Sequence, residues 1–364
     1  MKIKITILSL LTSAILANVD GAFLSKPFLN LNHPVNDVFT QKNKLFKSDT
    51  RSVVKNMSPV KSQGSRGTCS IFSAAAMLEG LLAVYGATTN QVDLSEEWLQ
   101  YLNIASSRST TDGSFTSRNF RLMRSFGMPY ESTLPYDSAN WEKSNNLKEL
   151  ERCKSLVGDE YKMCELGHFN PNFHKMNNQT IRSLPGSTDF LTAKAEANVN
   201  KSAFPSLNGR YSVYYISEIK NRLERGTPVV LDINFFYGAW NHRKATDLGI
   251  GRSMDHWSKG IVGYPEKNSV DYKKSQEKDN RAGHSVLLVG YDNEKEVTTT
   301  VKMQDGTTKS FTYKGVYYFK NSWGTSSFGL SSDIDGNVNP GYGLITQKHA
   351  HEHGSFYKLD FSNF

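Results

Sequence analysis

Hydrophobic and polar positions divide the chain into helical and extended segments. Residues 70–84 are almost all apolar or small, which predicts a helix that is buried on nearly all sides, with Thr68 at its N-cap. Residues 294–315 alternate Thr, Val and Lys around Asp305-Gly306, which predicts a hairpin that turns at those two residues. An apolar run at 229–236 and strand patterns at 282–291 and 317–320 complete the picture.

The first residues have the pattern of a secretory signal. A basic start at 1–4 is followed by an apolar run at 5–16 and by small residues around Ala17, which is typical of a cleavable signal peptide, here residues 1–20. The run is shorter than a membrane span requires. An uncleaved anchor and an ordinary buried strand are the alternatives. We expect an exported protein, secreted or held in a periplasmic or lumenal compartment, with no membrane span after signal removal.

Composition excludes several classes of protein. Hydrophobic residues make up 38% of the 364 residues and charged residues 21%, which rules out a fibrous or wholly disordered chain and a protein with many membrane spans. The net charge of +8, from 43 basic and 35 acidic residues, is spread along the chain. Nucleic-acid-binding proteins usually concentrate basic residues on one face, so a nucleic-acid partner is not expected.

The three cysteines cannot all pair with one another. Cys153 and Cys164 lie eleven residues apart in a polar stretch, and exported proteins can keep disulfides, so these two are the expected pair. Cys69 is then either a buried inert thiol or a free reactive one. Its place on the first turn of the predicted helix favours the reactive alternative. The helix dipole lowers a thiol pKa there, and unpartnered backbone N–H groups can stabilise an oxyanion.

The residues around Cys69 resemble the nucleophile segment of papain-like cysteine proteases. The shared residues are Pro59, Val60, Lys61, Gln63, Gly64, Gly67, Cys69 and Phe72. The resemblance implies that the Gln63 side chain and the Cys69 backbone N–H form the oxyanion hole. Arg66 and Ser70 depart from the family motif, which has a Cys and an aromatic residue at these positions. A disulfide common in the family joins the positions of Arg66 and Thr111, so both of its partners are absent together.

Two later segments resemble the His and Asn segments of the same family. His284 stands at the start of the strand pattern at 282–291, and Asn321 begins the string Asn-Ser-Trp-Gly. A thiolate needs a base, and the base needs a group that orients it. The resemblance implies that His284 forms an ion pair with the Cys69 thiolate and later protonates the leaving amine. It also implies that Asn321 orients the imidazole and that Trp323 shields this hydrogen bond from water.

A third resemblance concerns substrate binding. In the family, paired glycines let a substrate backbone lie flat on the enzyme; Gly113 matches the first glycine and Ser114 replaces the second. The side-chain pocket that the resemblance implies is apolar and uncharged, and an ordinary core position is the alternative for Phe115. The residues expected to line this pocket or to contact substrate are Gly113, Ser114, Phe115, Thr116, Ala282, Gly283, Ser285 and Trp323.

The resemblance implies an α+β, papain-like two-lobed fold, with Cys69 in a helical lobe and His284 and Asn321 in a β-barrel-like lobe. The expected divisions are a signal peptide at 1–20, a short pro-segment or arm at 21–48, and a catalytic domain at 49–364 with insertions at about 138–211 and 294–315. The first insertion is expected to be helical, closed by the cysteine pair and placed between the lobes. The arm is expected to be extended and to inhibit from a position near the cleft.

The expected function is hydrolysis of peptide bonds in protein or peptide substrates through a thioester on Cys69, without a metal or organic cofactor. Two alternatives stay open. One is an acyl transferase of the transglutaminase type that uses the same Cys-His chemistry. The other is an inactive papain-like binding protein.

Two further patterns suggest metal ligands, and a simpler interpretation is preferred for each. His349, His351 and His353 would share one face of a strand, but a solvated strand end is favoured over a Zn or Cu site. Residues 333–339 resemble half of a calcium loop but lack the Gly and Glu that such a loop needs. No metal is therefore expected.

Overall fold

The computed structural model describes residues 46–86, 92–139, 141 and 147–362. The helices are α1 (Thr50–Lys55), α2 (Cys69–Val84), α3 (Glu96–Ser107), α4 (Thr116–Phe126), α5 (Leu147–Cys153), α6 (Gly158–Gly167), α7 (Asn178–Arg182), α8 (Ser187–Ala203), α9 (Ile216–Glu224), α10 (Lys244–Asp247), α11 (Met254–Lys259), α12 (Val270–Gln276) and α13 (Gln347–His353). The strands are β1 (Ser212–Val213), β2 (Val229–Asn234), β3 (Ile261–Val262), β4 (Gly283–Lys302), β5 (Thr308–Lys320), β6 (Asp333–Ile334), β7 (Asn337–Val338), β8 (Tyr342–Thr346) and β9 (Gly354–Tyr357). The expected signal peptide at 1–20 and most of the expected arm at 21–48 lie outside the described residues. Within the described ranges, no helix is long and apolar enough to cross a membrane.

Helix α2 is the centre of a helical lobe. Its side chains from Cys69 to Leu82 are buried, as the run of apolar and small residues predicts. Helices α3 and α4 pack on it, and α3 begins after Ser95, whose hydroxyl accepts a hydrogen bond from the backbone of the first turn. Thr68 is the N-cap of α2, but its hydroxyl is hydrogen-bonded to Tyr136 and does not cap the helix. Burial on all sides, and not a side-chain cap, therefore fixes the position of α2.

A seven-stranded sheet forms the second lobe, with the strand order β1-β9-β2-β4-β5-β8-β3. Its central strands are rich in the β-branched and aromatic residues that favour sheet. Strands β4 and β5 run antiparallel, with Leu287 opposite Lys320. This register places His284, at the start of β4, and Asn321, just after β5, at the same end of the sheet.

Two of the contacts between the lobes set the position of the site. Helix α2 packs against β2 and β4, and the segment 61–63 pairs with 322–324 through backbone hydrogen bonds of 2.9 and 3.0 Å. The N-terminus of α2, which carries Cys69, therefore meets the end of the sheet that carries His284 and Asn321. The α+β, two-lobed arrangement expected from the sequence is confirmed.

The insertion at 138–211 is helical in its described part and carries α5 to α8. A disulfide joins Cys153 at the end of α5 to Cys164 in α6. Helix α6 packs on α3 and α8 packs on α4, while Phe169 and Phe190 enter the core of the helical lobe. The insertion is therefore an extension of the helical lobe. The prediction that it lies between the two lobes is wrong, because its apolar side chains complete the core around α3.

The hairpin predicted at 294–315 is formed by the outer halves of β4 and β5. The strands turn at Asp305-Gly306, where Gly306 has a φ of 84° and the Asp305 carboxylate accepts a hydrogen bond from the Thr307 N–H at 2.9 Å. The hairpin is thus continuous with the two central strands that carry the candidate base and its orienting residue.

The two metal-like patterns have other roles in the fold. His349, His351 and His353 lie on helix α13, so the prediction of a solvated strand end is wrong. Thr346 caps this helix, its hydroxyl accepting from the His349 N–H at 3.3 Å, and His349 is fully buried. Residues 333–339 contain the small hairpin of β6 and β7. In the part of the chain that the structure describes, no group of three or more His, Cys, Asp or Glu side chains could hold a metal ion.

Candidate active site

Cys69 begins α2 and is only 2% exposed. The loop before it turns at Gly64, whose φ of 62° is a conformation that favours glycine. Backbone N–H groups of Ser70 and Ser285 face the sulfur. The thiol therefore lies between the first turn of α2 and the start of β4, where Ser285 directly follows His284.

The charge state of the thiol is set by its burial. Burial raises the pKa of Cys69 to about 12, and the charge of Asp232 adds to this shift, while the backbone N–H groups that face the sulfur oppose it. The prediction that the helix start lowers this pKa is wrong for the site as it stands, because loss of hydration outweighs the helix dipole. The thiol is therefore uncharged at neutral pH until a base takes its proton.

The candidate base is held in one tautomer. The Nε2–H of His284 donates to Oδ1 of Asn321 at 2.8 Å, and the same oxygen accepts from the Ser322 N–H at 2.8 Å. Because Oδ1 of Asn321 can only accept, Nε2 of His284 carries the proton and Nδ1 is the basic nitrogen. Nδ1 has no hydrogen-bond partner among the described residues. It is therefore available to take the proton of Cys69.

Aromatic rings enclose the imidazole. Trp323 stacks on His284 with ring centroids 4.6 Å apart and 24° between the planes, and Trp240 meets it edge to face at 5.1 Å. Burial lowers the pKa of His284 to about 4; the Asn321 hydrogen bond opposes this shift and His242 adds to it. The imidazole is therefore neutral, as a general base must be. Burial thus favours a neutral thiol and a neutral imidazole, and the ion pair that the resemblance implies stays a prediction.

Gln63 belongs to the same hydrogen-bonded network. Its Oε1 accepts from the Ser322 hydroxyl at 2.7 Å, and its Nε2 donates to the Arg66 carbonyl at 2.6 Å. The second N–H of this amide remains for an oxyanion. Ser322 thus connects the oxyanion-hole candidate to Asn321 and the base. Sequence reasoning did not assign Ser322 a role, although it lies inside the Asn-Ser-Trp-Gly string.

A buried carboxylate lies behind the predicted side-chain pocket. Asp232 on β2 is opposite Ser285 on β4, and it accepts hydrogen bonds from the hydroxyls of Ser285 and Thr116, each at 2.7 Å. Burial raises the pKa of Asp232 to about 6, and these hydrogen bonds oppose the shift. Two residues of the predicted pocket, Thr116 and Ser285, therefore have a buried carboxylate behind them, and the apolar, uncharged pocket itself stays a prediction. One acid within the apolar run at 229–236 was the available signal, but only the strand register shows what it faces.

The other substrate candidates differ in exposure. Gly113 has a φ of 105°, which favours glycine, and Ser114 is buried with its hydroxyl 2.6 Å from that of a serine in α2. Phe115 is 43% exposed, so the alternative of a core position is wrong. Gly283 begins β4 directly before the candidate base, and Ala282 precedes the strand.

Arg66 occupies a position that holds a disulfide in the family, and here it forms an ion pair. Its guanidinium donates to the Asp112 carboxylate at 2.8 and 3.2 Å and to the Leu166 carbonyl in α6. The loop before Cys69 is therefore tied by charge to the neighbourhood of the substrate candidates and to the insertion.

Comparison with known proteins points to one family. The model of the papain family of cysteine proteases matches residues 46–206, a range that includes Gln63 and Cys69 and ends before His284 and Asn321. The chain is 28% identical over 100 residues to Cysteine proteinase 1 of Entamoeba histolytica, which is 27% of this chain and 32% of that protein. The match thus spans about a third of the relative's length.

Two of the solved structures to which this chain is similar are a cysteine protease and a procathepsin. Xylellain, a cysteine protease from Xylella fastidiosa, has a TM-score of 0.47 at 14% identity, covering 86% of this chain and 90% of that one. Digestive procathepsin L 3 of the Tenebrio molitor larval midgut has a TM-score of 0.45 at 17% identity, covering 94% of this chain and 76% of that one.

Proposed function

We propose that this chain is a papain-like cysteine protease and that it hydrolyses peptide bonds through a thioester on Cys69. One observation carries the proposal. Gln63, Ser322, Asn321 and His284 form one hydrogen-bonded network that leaves the basic Nδ1 without a partner among the described residues. His284 directly precedes Ser285, whose backbone N–H faces the Cys69 thiol. An inert buried cysteine needs neither an unpartnered base nor a fixed amide donor next to it.

Because the resting thiol and imidazole are both neutral, proton transfer is coupled to attack. Nδ1 of His284 takes the thiol proton as the sulfur bonds to the substrate carbonyl carbon, and the carbonyl electron pair moves onto oxygen. The Gln63 amide and the Cys69 N–H donate to that oxyanion. His284 then gives its proton to the leaving amine as the C–N bond breaks, which leaves a thioester. Water attacks the thioester with the same nitrogen as base and restores the thiol. These steps need no metal or organic cofactor.

In this proposal, a protein or peptide substrate pairs its backbone with Gly113 and Ser114, and Trp323 borders the cleft. One substrate side chain is directed toward Thr116 and Ser285. Both of these hydroxyls already donate to Asp232, so the floor of the pocket is polar.

Export and an inhibitory arm at 21–48 belong to the same proposal. The Cys153–Cys164 disulfide supports export, because such bonds persist in oxidising compartments. The arm would leave the enzyme along β4, since the Ser48 N–H donates to the Tyr291 carbonyl at 3.0 Å. Full-length protein is then expected to gain activity on N-terminal trimming. Full activity before any trimming contradicts the arm.

The central test is a casein digest by trimmed wild-type protein and by the Cys69→Ala variant, under mild reductant. Activity is expected to fall at least about a thousandfold in the variant, because the nucleophile is absent. Ser52→Ala, at an exposed position in α1, is the control that should retain activity. Equal cleavage by wild type and Cys69→Ala would end the peptidase proposal.

The same assay separates the alternatives when a labelled primary amine is added. An acyl transferase would join the amine to the substrate and cut little. A binding protein would hold the substrate and neither cut nor join it.

A further inference from the structure

A second polar cavity lies in the sheet lobe, between the outer half of β4 and the residues that follow β2. We call it the hairpin cavity; it measures about 410 Å³ and is lined in part by Gly238, Arg252, Tyr264, Asp271 and Thr299. None of the four candidate catalytic residues lines it. Its volume is within the range of small-molecule sites.

Asp271 is the acid of the hairpin cavity. It lies in α12 and is 3% exposed, and its Oδ2 accepts a hydrogen bond from the Ala239 N–H at 2.8 Å. Its Oδ1 has no partner among the described residues. Burial raises the pKa of Asp271 to about 6, with backbone N–H groups opposing the shift, so the group is mostly ionised at neutral pH. A buried carboxylate oxygen without a donor is costly, which favours a ligand that supplies one.

Two more unmet polar atoms line the same cavity. The Thr299 hydroxyl on β4 is buried and has no hydrogen-bond partner within the described part of the chain. The Arg252 Nε is also buried without an acceptor there, and its guanidinium lies over the Trp257 ring at 5.2 Å. The cavity therefore presents three polar groups without a partner among the described residues: the negatively charged carboxylate of Asp271, the positively charged guanidinium N–H of Arg252 and the hydroxyl of Thr299.

The other ionisable groups of the cavity do not compete for these roles. Lys302 donates to the Gly249 carbonyl at 2.9 Å, and burial lowers the pKa of His256. Asp271 is the one acid among the described residues that line the cavity. A single carboxylate is a poor site for a metal ion, so an organic cation fits better.

We propose that the hairpin cavity binds a free amino acid or dipeptide, with its ammonium on Asp271 and Thr299 and its carboxylate on Arg252. Such a zwitterion satisfies all three unmet atoms, and its side chain can pack on the apolar part of the lining, which includes Ile250 and Val301. The proposed peptidase would release molecules of this class. Binding itself needs no catalysis, so the site stands or falls independently of the peptidase proposal.

The test is calorimetric titration of the full-length protein at neutral pH with three probes. L-Leucine carries both charges, L-leucinamide lacks the carboxylate and N-acetyl-L-leucine lacks the ammonium. Leucine is expected to bind at millimolar or lower concentration, and each of the other two at least about tenfold more weakly. No binding of leucine at millimolar concentration overturns the proposal, as does equal binding of all three probes.

Variants locate the binding. Asp271→Asn, Arg252→Gln and Thr299→Val should each weaken leucine binding, the first two at least about tenfold. Arg252→Gln should leave leucinamide binding unchanged, since that probe has no carboxylate. Asp247→Asn removes the same charge at an exposed position in α10 that does not line the cavity, and it should bind like wild type. Leucine binding that all three cavity variants leave unchanged places the ligand elsewhere and overturns the proposal. If Asp271→Asn fails to fold, the other two variants and the three probes still decide.

Discussion

The two side chains proposed to react come from different lobes, and both are buried, but their surroundings are opposite in chemistry. On the helical side, the segment that leads to Cys69 is held by charged groups and hydroxyls. On the sheet side, His284 is enclosed by aromatic rings and bonded to one neutral amide. Charged groups and hydroxyls therefore surround the approach to Cys69, whereas aromatic rings surround His284. Each of these surroundings controls a different property of the site.

The charged side centres on Lys61. Its ammonium lies 2.8 Å from Glu96 and 3.5 Å from Glu79, and it also binds Asp93. Although burial opposes the shift, Glu79 and Glu96 raise the pKa of Lys61, so it stays protonated. The Lys61 carbonyl accepts from a backbone N–H that follows Asn321 and Ser322. This network therefore holds the segment that positions Gln63.

The aromatic side fixes hydration and protonation. Stacked and edge-on rings exclude water from the His284–Asn321 hydrogen bond without adding a charge that would hold a proton on the imidazole. In this site, charged groups position the backbone, whereas aromatic rings set the hydration and protonation of His284. Changes on the charged side should therefore alter stability, and changes on the aromatic side should alter turnover.

Lys61→Met should produce the largest effect on folding. The variant keeps the side-chain volume but leaves the buried carboxylates of Glu79 and Glu96 without their cation. Breaking a buried ion pair in this way costs about 3–5 kcal/mol of the free energy of unfolding. Urea unfolding measures the loss.

The control for this variant is an exposed lysine of the sheet lobe. Lys259→Met removes an i,i+4 pair with Asp255 at 2.9 Å on the surface, and it should change stability by less than about 0.5 kcal/mol. Similar small losses in both variants would show that the Lys61 network does not hold the fold.

A matched pair of tryptophans tests the aromatic side. Trp323 stacks on His284 at 4.6 Å, and Trp141 in the insertion stacks on His168 at 4.0 Å, so both lobes offer a buried imidazole under an indole. In Trp323→Phe, the smaller ring leaves the His284–Asn321 hydrogen bond partly open to water. Its kcat/KM should fall about tenfold, which is about 1.4 kcal/mol of transition-state stabilisation.

Trp141→Phe removes the same atoms where no reaction is proposed. It should lower the unfolding temperature about as much as Trp323→Phe does and leave kcat/KM unchanged. If both variants lose activity alike, the rings act through stability alone.

The sequence was sufficient for the parts of the site that lie in contiguous strings. Gln63, Cys69, His284 and Asn321 each lie inside a recognisable segment, and helix α2 and the β4–β5 hairpin follow from apolar periodicity and turn residues. The structure brings these segments to one place because the register of β4 and β5 aligns their ends.

What the sequence could not give depends on pairing across strands and on burial. Asp232 faces Ser285 only because β2 and β4 pair in one register, and a shift of one residue would turn the carboxylate to the other face. The charge states of Cys69 and His284 were also out of reach. Both charge states depend on the loss of hydration through burial, which a local rule such as the helix dipole does not predict.

Asp232 does not follow this division between the two lobes. It is a charged residue of the sheet lobe, and its charge acts on the Cys69 thiol of the helical lobe. After burial, its negative charge is the next cause of the raised pKa of Cys69. Asp232→Asn can keep both hydroxyl hydrogen bonds and removes the charge, so the thiol pKa should fall. A fall of about half to one unit makes the thiolate about three to ten times more abundant, and alkylation by iodoacetamide should quicken by that factor.

The pH dependence of this effect separates charge from packing. The pKa of Asp232 is about 6, so the carboxylate is ionised above that pH and protonated below it. The variant should therefore react faster than wild type above about pH 6, and the two rates should converge as the pH falls through that value, because wild type then also carries a neutral group.

Asp271→Asn is the matched control: it removes another buried acid whose pKa is about 6, but one that lines the hairpin cavity, so its alkylation rate should equal that of wild type. A difference between Asp232→Asn and wild type that persists well below pH 6 would mean that the substitution acts through packing. In that case the thiol would owe its protonation to burial alone, and the division between a charged side and an aromatic side would hold without exception.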